Sequence, residues 1–150
     1  MRLWHNDLIP VLPTKWLVAQ WRELSAISGR LYKVNSPKHA LVEPIVYCDR
    51  EHFIKYVDLV LEELKKRNVA IKNTVYSKIC EQSETAFNTI KTKRCLEPYN
   101  NEIYPKWHND VYLIQCYYNL QEKFHCGILT QEEFNKVDKL VRSKIEFYLI

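Results

Sequence analysis

The sequence predicts a mostly α-helical protein, a single compact domain over residues 1–150 with about four main helices and long connecting loops. Apolar residues recur at spacings of three and four in several separate stretches, which is the period of an amphipathic helix. No stretch of useful length alternates as a half-buried strand would. The length of 150 residues is that of one domain large enough to bury its own core.

The first dozen residues contain Pro10 and lead to Pro13, which predicts an extended N-terminal segment and a first helix that begins near Pro13 or Thr14. The apolar stripe of this helix consists of Trp16, Leu17, Ala19, Trp21 and Leu24. Its other faces carry Lys15, Gln20, Arg22 and Glu23. Gly29 predicts the end of the helix.

A second helix is predicted after a loop over residues 30–48, where Pro37 and Pro44 interrupt any helical period. Asp49 is a suitable N-cap, and the cations that end at Arg67 complement the helix dipole. The apolar positions between them are Phe53, Val57, Val60, Leu61 and Leu64. This is the clearest amphipathic pattern in the chain.

The pattern weakens over residues 74–106, where we expect one or two short helices before Pro98 and Pro105 impose a loop. A third strong helix is predicted from Asn109 or Asp110, with apolar residues Leu113, Tyr117, Leu120 and Phe124. It should stop before Gly127.

A fourth strong helix follows the capping-box pair Thr130 and Glu133. Its apolar residues are Phe134, Val137, Leu140, Val141 and Ile145.

Composition excludes several classes of function. The chain has only two glycines, whereas phosphate loops and dinucleotide-binding fingerprints need several. The five cysteines form no Cys-x-x-Cys pair and the five histidines no His-x-x-x-His pair, so we expect free thiols, no metal and no cofactor. A net charge of +4 is compatible with an anionic partner. Because no apolar stretch approaches the roughly 18 residues of a membrane span, we expect a cytoplasmic protein that does not bind membranes.

Three stretches carry more information than periodicity. They are, in order along residues 1–124, MRLWHNDLIPVLPTKWLVAQWREL, LEELKKRNVAIKNT and DVYLIQCYYNLQEKF. Together they resemble the pyrimidine-dimer DNA glycosylase family of the phage endonuclease V type, above all its cellular members that begin Met-Arg-Leu-Trp-His. The resemblance implies a compact helical fold and an enzyme that acts on damaged or abasic duplex DNA.

The resemblance also implies a mechanism. In the family, an N-terminal amine attacks C1′ of the lesion, a Schiff base forms, and β-elimination cuts the strand. The bulky Arg2 should block removal of the initiator methionine, so the catalytic residues implied here are Met1, as nucleophile, and Glu23, as acid/base or electrostatic partner. Free α-amines have reference pKa values of about 7.7–8.0, so a useful fraction is unprotonated at neutral pH.

The substrate-binding residues that the resemblance implies are Arg2, Arg22 and Lys123, which would hold DNA phosphates. Trp4 or Trp21 could support an unstacked base. We expect a monomer. From periodicity alone, an Arg-Glu pair on a helix is an ordinary solvated ion pair, and Lys123 is a cation in the last turn of its helix.

Two substrate contacts of the family are replaced, by Ala26 and Asn119. Two alternatives therefore stay open beside the glycosylase/lyase: a non-catalytic nucleic-acid-binding helical module, and an enzyme that cleaves the N-glycosidic bond of a nucleoside-like substrate.

Overall fold

The computed structural model describes residues 1–145, and over these residues the protein is built of helices. The α-helices are α1 (Thr14–Val34), α2 (Arg50–Lys66), α3 (Asn73–Lys93), α4 (Asp110–His125) and α5 (Gln131–Lys144). Two 3-10 helices, Asn6–Val11 and Ala40–Tyr47, precede α1 and α2. The mostly α-helical class is confirmed. The expected number of about four main helices is wrong, because the described residues form five α-helices and two 3-10 helices.

Several predicted helix ends are confirmed, and each has a local cause. The helix α4 begins after Asn109, whose side chain accepts a hydrogen bond from Tyr112 N at 3.0 Å. The helix α5 begins with the predicted capping box: Glu133 N donates to Thr130 Oγ1 at 3.1 Å, and Thr130 N donates to Glu133 Oε1 at 2.9 Å. Gly127, just beyond α4, has φ 77°, a backbone conformation that favours glycine.

The predicted end of α1 at Gly29 is wrong. The helix continues to Val34 and ends at Asn35, which has the left-handed φ of 56°. Ile27 and Leu31 are both fully buried, so the apolar stripe extends past the glycine. An interior glycine costs only about 1 kcal/mol, and burying one leucine contributes about 1.5–3 kcal/mol, so the longer helix is favoured.

The weak pattern over residues 74–106 conceals one long helix, α3, instead of one or two short ones. Its buried face includes Ser83 and Ala86, which do not register as an apolar stripe. Ser83 is buried because its hydroxyl accepts a hydrogen bond from Arg50 Nε at 3.1 Å. The loop that Pro98 and Pro105 predict is confirmed after α3.

The N-terminal segment belongs to the core and is not a loose extension. Leu3, Leu8 and Ile9 are fully buried, and the last two lie in a 3-10 helix where an extended segment is expected. Arg67, at the end of α2, holds this helix by donating to Pro10 O at 3.0 Å and Ile9 O at 3.3 Å. The chain start is therefore fixed against the helices.

Within the described part of the chain, no helix is both long and apolar enough to cross a membrane. No group of three or more histidine, cysteine or acidic residues is arranged to hold a metal ion among residues 1–145. The cysteines are free.

Candidate active site at the amino terminus

Gln20 of α1 anchors the first residues of the chain. Its side-chain amide is 1% exposed and its Oε1 accepts from Trp4 N at 2.8 Å. Its Nε2 donates to Arg2 O at 2.9 Å. Because Trp4 N can only donate and Arg2 O can only accept, the amide has one possible orientation. The backbone of residues 2–4 therefore runs along α1 in a defined register.

The same amide nitrogen reaches Glu23. Gln20 Nε2 donates to Glu23 Oε2 at 3.1 Å, so one nitrogen atom contacts both the carbonyl of residue 2 and the carboxylate. The two residues are three apart on α1 and thus lie on one face of it. This geometry brings the half-buried Glu23 beside the chain start, as the resemblance implies.

Two tyrosines from other helices complete the anchoring of the terminal segment. The hydroxyl of Tyr56, from α2, donates to Trp4 O at 2.6 Å and lies 2.9 Å from Gln20 Oε1. The hydroxyl of Tyr112, from α4, donates to Leu3 O. Burial raises the pKa of Tyr56 well above its ordinary value, and the nearby Glu23 carboxylate adds a smaller effect in the same direction. Tyr56 is therefore a neutral donor at physiological pH.

Two adjacent indole rings, with a cation at each end, connect Arg2 with Lys123. The Arg2 guanidinium lies 5.4 Å from the centre of the Trp4 ring. Trp4 meets Trp16 edge to face at 5.8 Å between centroids, and Lys123 Nζ lies 4.7 Å from the centre of the Trp16 ring. Cation–π contacts of this kind hold the two cations in place. The structure thus brings Arg2 and Lys123 to one region, although they are far apart in sequence.

The remaining cations near this region come from α1. Arg22 is exposed and adjoins Glu23 in sequence. Arg30 is in the helix and not in the loop expected after residue 29, and its Nη1 lies 3.7 Å from Met1 Sδ. Met1 and Arg2 are both half-buried. Arg30 therefore adds a further cation beside the chain start.

Arg2 also faces α4, where it approaches Cys116. Burial raises the pKa of the Cys116 thiol, and the Arg2 guanidinium opposes part of this shift. Burial likewise raises the pKa of Tyr112, again with partial opposition from Arg2. The thiol and the phenol therefore stay neutral beside the cation.

A histidine pair ties the next residues to the start of α4. His108 Nδ1 accepts from Asn6 N at 2.9 Å, and the rings of His5 and His108 are 5.3 Å apart. Burial lowers the pKa of both histidines, and a neighbouring Asp7 opposes the shift at His5. Both rings are core groups in this fold and hold the backbone in place.

Sequence reasoning missed the residues that build this site. It assigned Gln20 to a polar face, whereas the residue is 1% exposed, and it did not single out Tyr56 or Tyr112. Buried tyrosines bonded to backbone carbonyls leave no periodic signal. Trp4 and Trp21 are each only 6% exposed, so neither ring offers a face on which an extruded base could stack.

The site is on the surface and is not part of the large open groove of about 1100 Å³ that runs beside the 3-10 helix Asn6–Val11. That groove is lined by His5, Asp7, His108 and Lys144 among others, and Met1, Arg2 and Glu23 do not contribute to its wall. An open site is accessible to a polymer, whereas small-molecule sites are concave.

The chain start, the Glu23 carboxylate and the cations of Arg2 and Lys123 therefore lie in one region of this helical protein. A family model, pyrimidine dimer DNA glycosylase, matches residues 1–77. The chain belongs to this family, and the suspected resemblance is confirmed. The matched residues include the anchored terminal segment, the whole of α1 and the whole of α2. No curated protein and no solved structure matches the chain detectably.

Family membership defines a DNA-repair protein of the DNA glycosylase type, with DNA as its partner.

Proposed function

We propose that the chain is a DNA glycosylase and abasic-site lyase that works through the amine of Met1. The observation that carries this proposal is the shared contact of Gln20 Nε2 with Arg2 O and Glu23 Oε2, which places an acidic side chain beside the chain start. A nucleophile and its acid/base partner must lie within hydrogen-bond reach or one water apart. The proposal treats residues 1–150 as one domain.

The chemistry can be written for an abasic deoxyribose. The Met1 nitrogen adds to C1′ of the aldehyde, and the resulting carbinolamine loses water to give a protonated imine. Loss of a proton from C2′ then expels the 3′ phosphate oxygen as the C3′–O bond breaks. Glu23 is the group that would receive and return these protons and stabilise the cationic imine. On an intact lesion, the same attack would break the glycosidic bond and release the base.

Substrate binding in this proposal uses three cations. Arg2 and Lys123, fixed by the Trp4 and Trp16 rings, would contact phosphates near the lesion, and the exposed Arg22 would contact a flanking phosphate. Fixed cations lose less conformational freedom on binding than solvated ones. Replacement of Lys123 by Gln should weaken DNA binding and reduce the salt slope by about one unit.

Borohydride trapping tests the proposal. The protein is incubated with duplexes that contain an abasic site, a pyrimidine dimer or no damage, and borohydride is added to reduce any imine. We expect a covalent adduct with abasic DNA that acetylation of the terminal amine abolishes. Glu23→Gln should slow adduct formation by roughly 100-fold or more and spare DNA binding. Glu62→Gln, at an exposed position on α2, is the control of equal charge change and should react as the wild type does.

Binding with no adduct on any DNA would overturn the lyase and favour the non-catalytic binding module, which Ala26 and Asn119 motivate. Cleavage of free nucleosides without DNA adducts would favour the nucleoside enzyme. Comparison of adduct formation on abasic DNA with that on dimer-containing DNA shows on which lesion the protein acts.

A further inference from the structure

We infer that Gln20 is a positioning residue for the Schiff-base reaction, because it sets the amine-bearing segment and the Glu23 carboxylate in a fixed relation through a single amide nitrogen. This inference rests on the proposed function.

The Gln20 amide is held by three hydrogen bonds. Its two N–H groups donate to Arg2 O and Glu23 Oε2, and its oxygen accepts from Trp4 N. The Tyr56 hydroxyl, whose single proton goes to Trp4 O, lies 2.9 Å from the same oxygen. Both donors of the amide are therefore used, and the buried side chain cannot move without losing several bonds.

The second step is that anchoring alone does not need all of these bonds. A buried side chain that served only to tie down the terminal segment would need the contacts to Trp4 N and Arg2 O. The additional bond to Glu23 Oε2 orients a group outside that segment. It constrains the carboxylate through one of its two oxygens.

The third step concerns the cost of misplacement. Reacting groups must be held close to their productive geometry, and a displacement of about 1 Å can cost about 100-fold in rate. The amine belongs to Met1, so its position depends on the hydrogen bonds that hold the adjoining residues 2–4. Gln20 is the one residue that contacts both the Arg2–Trp4 backbone and Glu23 among the hydrogen bonds described for residues 1–145.

Gln20→Glu tests this role. The variant keeps the oxygen that accepts from Trp4 N, but in place of the two N–H donors it has a carboxylate oxygen that repels Arg2 O and Glu23. At saturating abasic DNA and pH 8, we expect the single-turnover rate of adduct formation to fall at least about 10-fold. The dissociation constant for DNA should change less than about threefold, because the Arg2 guanidinium that would bind phosphate contacts the Trp4 ring and not Gln20.

The pH dependence separates positioning from loss of packing. A carboxylate beside another carboxylate has a raised pKa, so the introduced group should become protonated as the pH is lowered from about 8 to about 5.5 and regain one donor. The ratio of variant rate to wild-type rate should therefore rise over this range. Tyr117→Phe, which removes the hydrogen bond of this buried tyrosine to Asp138 of α5 and none to residues 2–4, is the matched control for lost stability and should react within about twofold of the wild type.

The outcomes are distinct. If the wild type forms an adduct and Gln20→Glu forms it equally fast, Gln20 is only a buried structural link and the inference is wrong. The inference is also wrong if Tyr117→Phe loses as much rate, or if the ratio of variant rate to wild-type rate does not change with pH. If Gln20→Glu does not fold by circular dichroism, Gln20→Met replaces it: its rate should also fall at least about 10-fold, with a pH-independent ratio, and an unchanged rate overturns the inference. If the wild type forms no adduct, the proposed function itself fails, and this inference fails with it.

Discussion

Tyr56→Phe should destabilise the fold by an amount that can be worked out from its contacts. The Tyr56 hydroxyl is fully buried and donates to Trp4 O at 2.6 Å. Deletion of the hydroxyl removes one hydrogen bond and leaves that carbonyl unsatisfied in the core, which costs about 1–3 kcal/mol. Gln20 Oε1 keeps its bond from Trp4 N, so only one acceptor is orphaned. We therefore expect a loss of about 2 kcal/mol.

Thermal and urea unfolding measure this loss. For a domain of this size, 1 kcal/mol corresponds to roughly 2–4 °C, so the melting temperature should fall by about 4–8 °C. The urea m-value should be unchanged, because the surface exposed on unfolding is the same. Tyr32→Phe is the control, since Tyr32 is 53% exposed and should change stability by less than about 0.5 kcal/mol. A Tyr56→Phe variant as stable as that control would refute the anchoring that the site depends on.

Three further changes should alter stability in defined directions. Gly29→Ala should stabilise the protein by about 0.5–1 kcal/mol, measured by urea unfolding, because Gly29 is inside α1 and a Cβ there would meet nothing within 4 Å. A destabilised variant would mean that the helix does not continue past residue 29. Arg67→Lys should cost about 2 kcal/mol by the same assay, since one ammonium cannot replace a guanidinium that donates to Pro10 O, Ile9 O and Glu63 together; an unchanged midpoint would contradict this. Burial lowers the pKa of His108, so the folded state resists its protonation. Stability should therefore be constant above about pH 6.5 and fall below it, and His108→Gln should reduce the slope of stability against pH by up to about 1.4 kcal/mol per pH unit. An identical slope in the variant would exclude His108 as the cause.

Much of the fold follows from the sequence because caps and apolar periods act locally. Asn109 and the Thr130–Glu133 capping box define helix starts by bonds to backbone a few residues away. The wrong helix predictions occur where tertiary contacts decide the structure. α1 passes Gly29 because Leu31 has a core position to fill, and α3 is one helix because Ser83 is paired with Arg50 from another element.

The candidate site also has one part that the sequence predicts and another that it does not. The resemblance implied roles for Met1, Arg2, Arg22, Glu23 and Lys123. In the structure, Gln20 contacts both Arg2 O and Glu23, and the Trp4 and Trp16 rings connect Arg2 with Lys123. The resemblance gave no indication of Gln20. A glutamine whose hydrogen-bond partners are 16 and 18 positions away in sequence cannot be distinguished in the sequence from a surface polar residue. The only local indication that Gln20 is buried is its position on α1, on the same side as the apolar residues Leu17 and Leu24.

The most direct test of the central claim is to locate the reduced adduct on the protein. After trapping with abasic DNA and nuclease digestion, the deoxyribose remnant can be mapped by mass spectrometry of proteolytic peptides. The account predicts that the added mass is on the α-nitrogen of Met1 and that it disappears when that amine is acetylated. Mapping of the remnant to a lysine side chain such as Lys123, with the Met1 amine unmodified, would contradict it.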